Sequence, residues 1–124
     1  PELRCPDDYT SVDANGERWC FVWHEPPASS VTFEETKRLC EARDDTLPIL
    51  QSHEMVNALD DVLDEYVSSA VWIGIVCNYE TFEWEWVNGE PLFYSNFQEP
   101  PPSPCDDGTR FEQTRISKKW RALS

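Results

Sequence analysis

The sequence predicts an α+β domain, with two helices packed on small antiparallel sheets and a long loop region over about 76–117. Three observations carry that expectation. Two amphipathic helical patterns occupy residues 33–43 and 53–66. The run Val71-Trp72-Ile73-Gly74-Ile75 is wholly apolar and mostly β-branched, so it reads as a buried central strand. Several short strand-like pieces then follow, joined by long loops rich in turn residues.

At 124 residues the chain suits a single domain, 1–124, long enough to bury one core. No apolar run approaches the ~18 residues that a bilayer-spanning helix needs. No basic-then-apolar segment opens the chain, so any secretory leader is expected to have been removed. The formal charge of −14 argues against nucleic acid or an anionic membrane as partner. That charge is uneven. Residues 1–109 hold 23 acids against five Lys or Arg, whereas Arg110, Arg115, Lys118, Lys119 and Arg121 face only Glu112 in the remainder. A basic strand pair on an acidic surface explains this better than a docking patch.

Five cysteines in a chain this short indicate disulfides and an oxidising compartment. No Cys-x-x-Cys or Cys-x-x-His pair favours a metal instead. Because the number is odd, at least one thiol is free, pairs with another molecule, or has its partner beyond the chain.

In order, Cys5-Pro6 leads through a turn at Asn15-Gly16 to the strand-forming Trp19-Cys20-Phe21-Val22-Trp23, and a Cys5–Cys20 bridge would close that hairpin. Glu25 to Ser30 is a loop. Thr32 and Glu35 form a capping box for the first helix, in which Phe33, Thr36, Leu39 and Cys40 are expected to face inward. Leu47-Pro48-Ile49-Leu50 crosses the core. Ser52 caps the second helix, whose apolar stripe is Met55, Val56, Leu59, Val62, Leu63 and Tyr66, with Asp60, Asp61, Asp64 and Glu65 toward solvent.

Trp84-Glu85-Trp86-Val87-Asn88-Gly89 alternates large and polar residues and ends in a strong hairpin turn signal. Gln98 to Pro104 contains four prolines and reads as a stiff extended loop. Arg110 to Ile116 and Lys119 to Ser124 are both strand candidates.

Taken together these residues resemble the C-type lectin-like domain. Cys5-Pro6 to Cys20-Phe21 is similar to the extra N-terminal bridge of the long form. Phe33 to Cys40, Leu47, Leu50 and Ser52-His53-Glu54 resemble the helical half. Trp72-Ile73-Gly74 and Trp84 to Gly89 resemble the family's central strand and hairpin. Asn96-Phe97-Gln98-Glu99-Pro100 and Cys105 resemble the long loop's ligand motif and next cysteine, and the wording from Tyr94 to Phe97 is similar to nematode members. The resemblance implies that Cys40 and Cys105 pair with cysteines beyond Ser124, so that the final strand is missing; if the chain ends at Ser124, both lose their partners and Cys20 to Trp23 becomes an exposed edge prone to association. Cys77 is additional, because Phe82 and Glu83 stand where a partner cysteine is found in related domains.

The resemblance also implies a calcium ion shared with sugar hydroxyls, which needs about six to eight oxygens. Of the motif that supplies them, Glu99-Pro100 is retained. Pro101 replaces the amide or acid, Ser103-Pro104 precede Cys105 in place of an acid, and Arg121-Ala122 replace the Asn-Asp pair after Trp120. The expectation is therefore no metal, no cofactor and a lost calcium site. Residues expected to meet a ligand are Phe97, Glu99, Pro101, Asp106, Asp107 and Arg121.

Catalysis finds no support: His24 and His53 stand at a loop exit and a helix start, and the acids are dispersed. The favoured function is an extracellular, secreted recognition module, with innate recognition implied by the resemblance. It would bind a protein or glycan without calcium, using aromatic and proline residues of the long loop (Tyr79, Phe82, Phe93, Tyr94, Phe97, Pro100 to Pro102). The alternatives are a structural or oligomerising domain, dimeric through Cys77 or the open edge, and a carbohydrate-binding lectin with a non-standard site. No nucleic acid and no membrane insertion are expected.

Overall fold

The computed structural model describes residues 5–14, 16–23, 32–64, 70–106 and 108–123. Nine elements follow in chain order: β1 (Thr10–Ala14), β2 (Glu17–Phe21), α1 (Phe33–Glu41), α2 (His53–Leu63), β3 (Ala70–Trp72), β4 (Ile75–Asn78), β5 (Glu83–Trp86), β6 (Arg110–Thr114) and β7 (Trp120–Leu123). The strands form an antiparallel β1-β2 hairpin, a three-stranded sheet in the order β3-β6-β7, and an antiparallel β4-β5 hairpin. Two helices on small antiparallel sheets are the expected α+β arrangement. Among the described residues no helix is long and apolar enough to cross a membrane.

The N-terminal hairpin turns through Gly16, whose φ of +75° lies in the left-handed region that glycine occupies without strain. Cys5 and Cys20 are bonded, with Cα atoms 5.5 Å apart. Tyr9 Oη donates to the Asp45 carboxylate at 2.7 and 2.9 Å, tying the hairpin to the segment after α1. That bond, helped by burial, pushes the Tyr9 phenol up to about 12.

Thr32 Oγ1 accepts from Glu35 N, and Glu35 Oε1 accepts from Thr32 N, so the capping box forms as the sequence implies. Phe33 is buried against the edge of Trp72, ring centroids 6.0 Å apart. Leu39, expected on the same face, is 41% exposed. The helical period explains the correction: six positions at about 100° each place Leu39 roughly 120° away from Phe33, whereas Cys40, seven positions on, returns to its face. Cys40 is a free, half-buried thiol. Burial, with Asp45 and Glu41 nearby, pushes its pKa up.

In α2, Ser52 Oγ accepts from Met55 N, and Met55, Val56, Leu59 and Leu63 are buried. Tyr66 and Glu65, expected on this helix, lie outside the described residues, as does His24. Asp60 is a second correction. Expected in solvent, its side chain is only 14% exposed and meets the Arg115 guanidinium at 2.7 Å. Arg115 also donates to Asp64 and to the Leu63 carbonyl, which joins the end of α2 to the β6–β7 turn.

The Trp72 run is not one central strand. Ile73 N donates to Phe111 O, but Gly74 N turns to Pro48 O and Gly74 O accepts from Val87 N. The chain thus leaves the edge of the three-stranded sheet and enters the β4-β5 hairpin within two residues. The crossing is crowded. A Cβ on Gly74 would lie 3.0 Å from Val87 Cγ2, 3.2 Å from Pro48 O and 3.3 Å from Leu47 Cβ. Close approach, not a special φ, requires the glycine here.

Around that crossing Leu50, Met55, Val56, Ile73, Ile75, Trp86, Phe111 and Trp120 form the core. Trp86 meets Trp120 edge-on at 5.4 Å, and Trp84 meets Phe111 at 5.0 Å. Each such ring pair contributes about 0.5–1.5 kcal/mol beyond its buried area. Gln113, 1% exposed, is fully engaged: Nε2 donates to Val56 O and Oε1 accepts from Trp120 Nε1.

Candidate functional site

The long loop region is built on the β4-β5 hairpin. Registers Ile75↔Trp86 and Cys77↔Trp84 direct those four side chains inward, so the cross-strand neighbours Val76, Asn78, Glu83 and Glu85 share the outer face. Asn78 shapes the tip. Its side-chain oxygen accepts from Glu80 N and Thr81 N, and its carbonyl accepts from Phe82 N at 2.7 Å. The side chains of Tyr79 and Phe82 are left 56% and 57% exposed. Phe82 holds a φ of +58°, a conformation uncommon for a bulky residue.

The loop of prolines is fastened beside this tip. Cys77 is bonded to Cys105, with Cα atoms 5.5 Å apart. Cys105 N donates to Phe82 O at 3.3 Å, and Trp84 Nε1 donates to Pro102 O at 2.9 Å. The expectation that Cys105 pairs beyond Ser124 is thereby corrected. Cys77 and Trp84 are opposite each other on the inner face, which turns the Cys77 sulfur toward the loop that Trp84 also holds. Nothing in residue spacing marks this pair. Its signal lies in the register, which only a folded hairpin reveals.

The root of the loop is equally fixed. Trp120 N donates to Asn96 O and Gln98 N donates to Trp120 O, flanking a bridge between Phe97 and Trp120. Asn96 Nδ2 donates to Lys118 O at 2.6 Å. Phe97 packs on Phe111 at 5.0 Å and on Trp120 at 5.3 Å, so its ring closes the core beneath the loop. Tyr94 stacks edge-on against Trp120 and its hydroxyl lies 3.1 Å from His53 Nδ1. Burial pushes the Tyr94 phenol up. Phe93, by contrast, is 73% exposed.

The expected ligand residues therefore separate. Glu99 is exposed, and Pro101 beside it is half-buried. Asp106 caps the next turn: its carboxylate accepts from Gly108 N, Thr109 N and Thr109 Oγ1. The Thr109 bonds, side chain first, hold its pKa below the usual carboxylate range. Arg121 pairs across the sheet with Glu112, its register partner. Asp107 lies outside the described residues. Among the described residues no three His, Cys, Asp or Glu side chains gather as a cation site would need.

Charge distinguishes this region from the end of the chain. Positions 76–109 carry seven acids (Glu80, Glu83, Glu85, Glu90, Glu99, Asp106, Asp107) and no Lys or Arg. The basic C-terminal segment is largely engaged internally. Arg110 pairs with Glu34, Arg115 with Asp60 and Asp64, Arg121 with Glu112, and Lys118 and Lys119 reach Asn57 and Asn96. Sequence reasoning named Tyr79 and Phe82 among the loop aromatics. It did not single them out as the exposed pair, because exposure at the tip depends on the Asn78 turn.

Comparison with known proteins agrees with this architecture. The killer cell lectin-like receptor subfamily B member 1A of Rattus norvegicus is 30% identical over 91 residues, 73% of this chain. The matched stretch spans only 37% of that receptor. Among solved structures, human lithostathine superposes with a TM-score of 0.73 at 18% identity, covering 97% of this chain and 82% of that one. A calcium-independent type II antifreeze protein superposes with a TM-score of 0.71 at 25% identity, covering 99% and 87%. Residues 29–123 match the family model of the lectin C-type domain, and the chain belongs to that family.

Proposed function

We propose that this domain is an extracellular, secreted recognition module that binds a protein or glycan through its long-loop face, without a calcium-dependent sugar site. The observation that carries the reading is the state of the positions where the family holds calcium. Among the described residues Glu99 alone offers a free carboxylate there. Pro101 has no side-chain oxygen, Asp106 is engaged by Thr109 and Gly108, and Arg121 brings a guanidinium paired with Glu112. Six to eight oxygens do not converge on such a set. The residues present do not fit the ion.

The 25%-identical antifreeze relative, named as calcium-independent, supports the same reading. Catalysis has no part in it. His53 is engaged with Tyr94, and the family is a ligand-binding one. The oligomerising alternative rests on an unpaired Cys77 and on the open edge of Cys20 to Trp23, and the Cys77–Cys105 bond takes away the first of these supports.

A glycan and protein array probed with and without EDTA tests the proposal. Binding that survives chelation and is lost in Phe82→Ser supports it. Binding abolished by chelation overturns it.

A further inference from the structure

Tyr79 and Phe82 form an exposed aromatic pair on a tip held by three separate fastenings: the Asn78 turn, the Cys77–Cys105 bond and the Trp84–Pro102 hydrogen bond. Exposed rings on a fixed turn lose little entropy on contact, the property of aromatic anchors in binding surfaces. Glu80 lies between the rings in sequence, Glu83 and Glu85 are on the outer face of the hairpin that carries them, and Glu99 is on the loop that Trp84 holds beside that hairpin. None of these four carboxylates is in an ion pair or side-chain hydrogen bond among the described residues, and no Lys or Arg occurs from 76 to 109.

We propose that the hairpin tip docks a basic polypeptide segment, an arginine-containing stretch of a partner protein. The inference rests on the recognition reading above and names its ligand class. A cation is favoured because the segment that carries the aromatic pair, residues 76 to 109, holds seven acids and no Lys or Arg. Arginine is favoured because a planar guanidinium stacks on an aromatic face while pairing bidentately with a carboxylate. A neutral glycan would use the rings and leave the carboxylates unpaired. An acidic glycan would be repelled.

The net charge of −14 makes nonspecific attraction the competing explanation, so the test localises binding. The probe is octa-arginine, titrated by fluorescence anisotropy at moderate salt, with octa-lysine and octa-glutamate beside it. Variants are Tyr79→Ser/Phe82→Ser at the tip and Glu54→Gln/Asp61→Asn on the exposed side of α2. The expected result is arginine bound more tightly than lysine, with about tenfold weaker binding in the tip variant, as two lost cation–π contacts imply. The α2 variant, which removes more charge, binds within about twofold of the parent chain. Equal weakening in both variants, or no weakening at the tip, overturns the inference. If the array above finds a chelation-resistant ligand lost in Phe82→Ser while octa-arginine ignores the tip, the basic-partner inference falls alone. If array binding vanishes on chelation while octa-arginine still maps to the tip, the calcium reading falls alone.

Discussion

Removing the Cys77–Cys105 bond in Cys77→Ser/Cys105→Ser should have two separable consequences. The bond closes a loop of sequence separation 28. In the chain-entropy account a cross-link of that span restricts the unfolded ensemble by about 12 cal/mol/K, or about 3.5 kcal/mol near room temperature. An unfolding entropy of about 2.1 cal/mol/K per residue over a chain this long converts that to a melting-temperature drop of roughly 14 °C. Thermal unfolding followed by circular dichroism measures it. The native fold should survive, because the Trp86–Trp120 and Trp84–Phe111 contacts do not depend on the sulfurs. The second consequence is local. Trp84 Nε1–Pro102 O and Cys105 N–Phe82 O are then left to hold the proline loop to the hairpin tip, so amide exchange should rise at positions 99, 103 and 105, the non-proline residues of that stretch, and not in α2. A drop of less than about 3 °C with unchanged exchange in the loop would refute the account of how the tip is fixed.

Two further outcomes follow from the structure. Gly74→Ala places a Cβ against Val87, Pro48 and Leu47, two of the three contacts involving backbone or a Cβ, and should cost about 1–3 kcal/mol by urea unfolding. An unchanged midpoint would mean the crossing is less tight than it stands here. Tyr9 has a phenol raised above its ordinary value of 10.0 to about 12, so its bond to Asp45 contributes fully below pH 10 and is lost as pH rises through 12. A difference ultraviolet titration between the parent chain and Tyr9→Phe should show one late phenolate transition. A transition at the ordinary value would contradict the Tyr9–Asp45 anchor.

Much of the fold was legible because local signals agreed with the tertiary structure. Thr32 and Glu35 mark their helix start in sequence, and Ser52 marks the next. The Met55, Val56, Leu59, Leu63 stripe lies on the core as its spacing requires. Sequence reasoning failed where a distant partner decided the outcome. Asp60 looks like one more solvated acid until Arg115, 55 residues away, arrives beside it. Cys77 and Cys105 become partners only through the hairpin register. The Trp72 run reads as a strand because its residues are β-branched and aromatic, but Gly74 divides it between two sheets.

At the site, the residue types at positions 101, 104, 121 and 122, on which the calcium-independent proposal rests, are read directly from the sequence. The sorting of the aromatics is not. Phe97 and Phe82 are both bulky, apolar and loop-borne, yet one packs on Trp120 and the other stands in solvent. Burial of a ring depends on what lies beneath it, which neither composition nor periodicity records.

The central claim is that Glu99, left without the oxygens that would complete a calcium site, belongs to a calcium-independent recognition surface. Isothermal titration of calcium into the chelator-treated domain tests it most directly. The account expects no saturable binding at sub-millimolar calcium, and none altered by Glu99→Gln. A single saturable site in that range, abolished by Glu99→Gln, would contradict it.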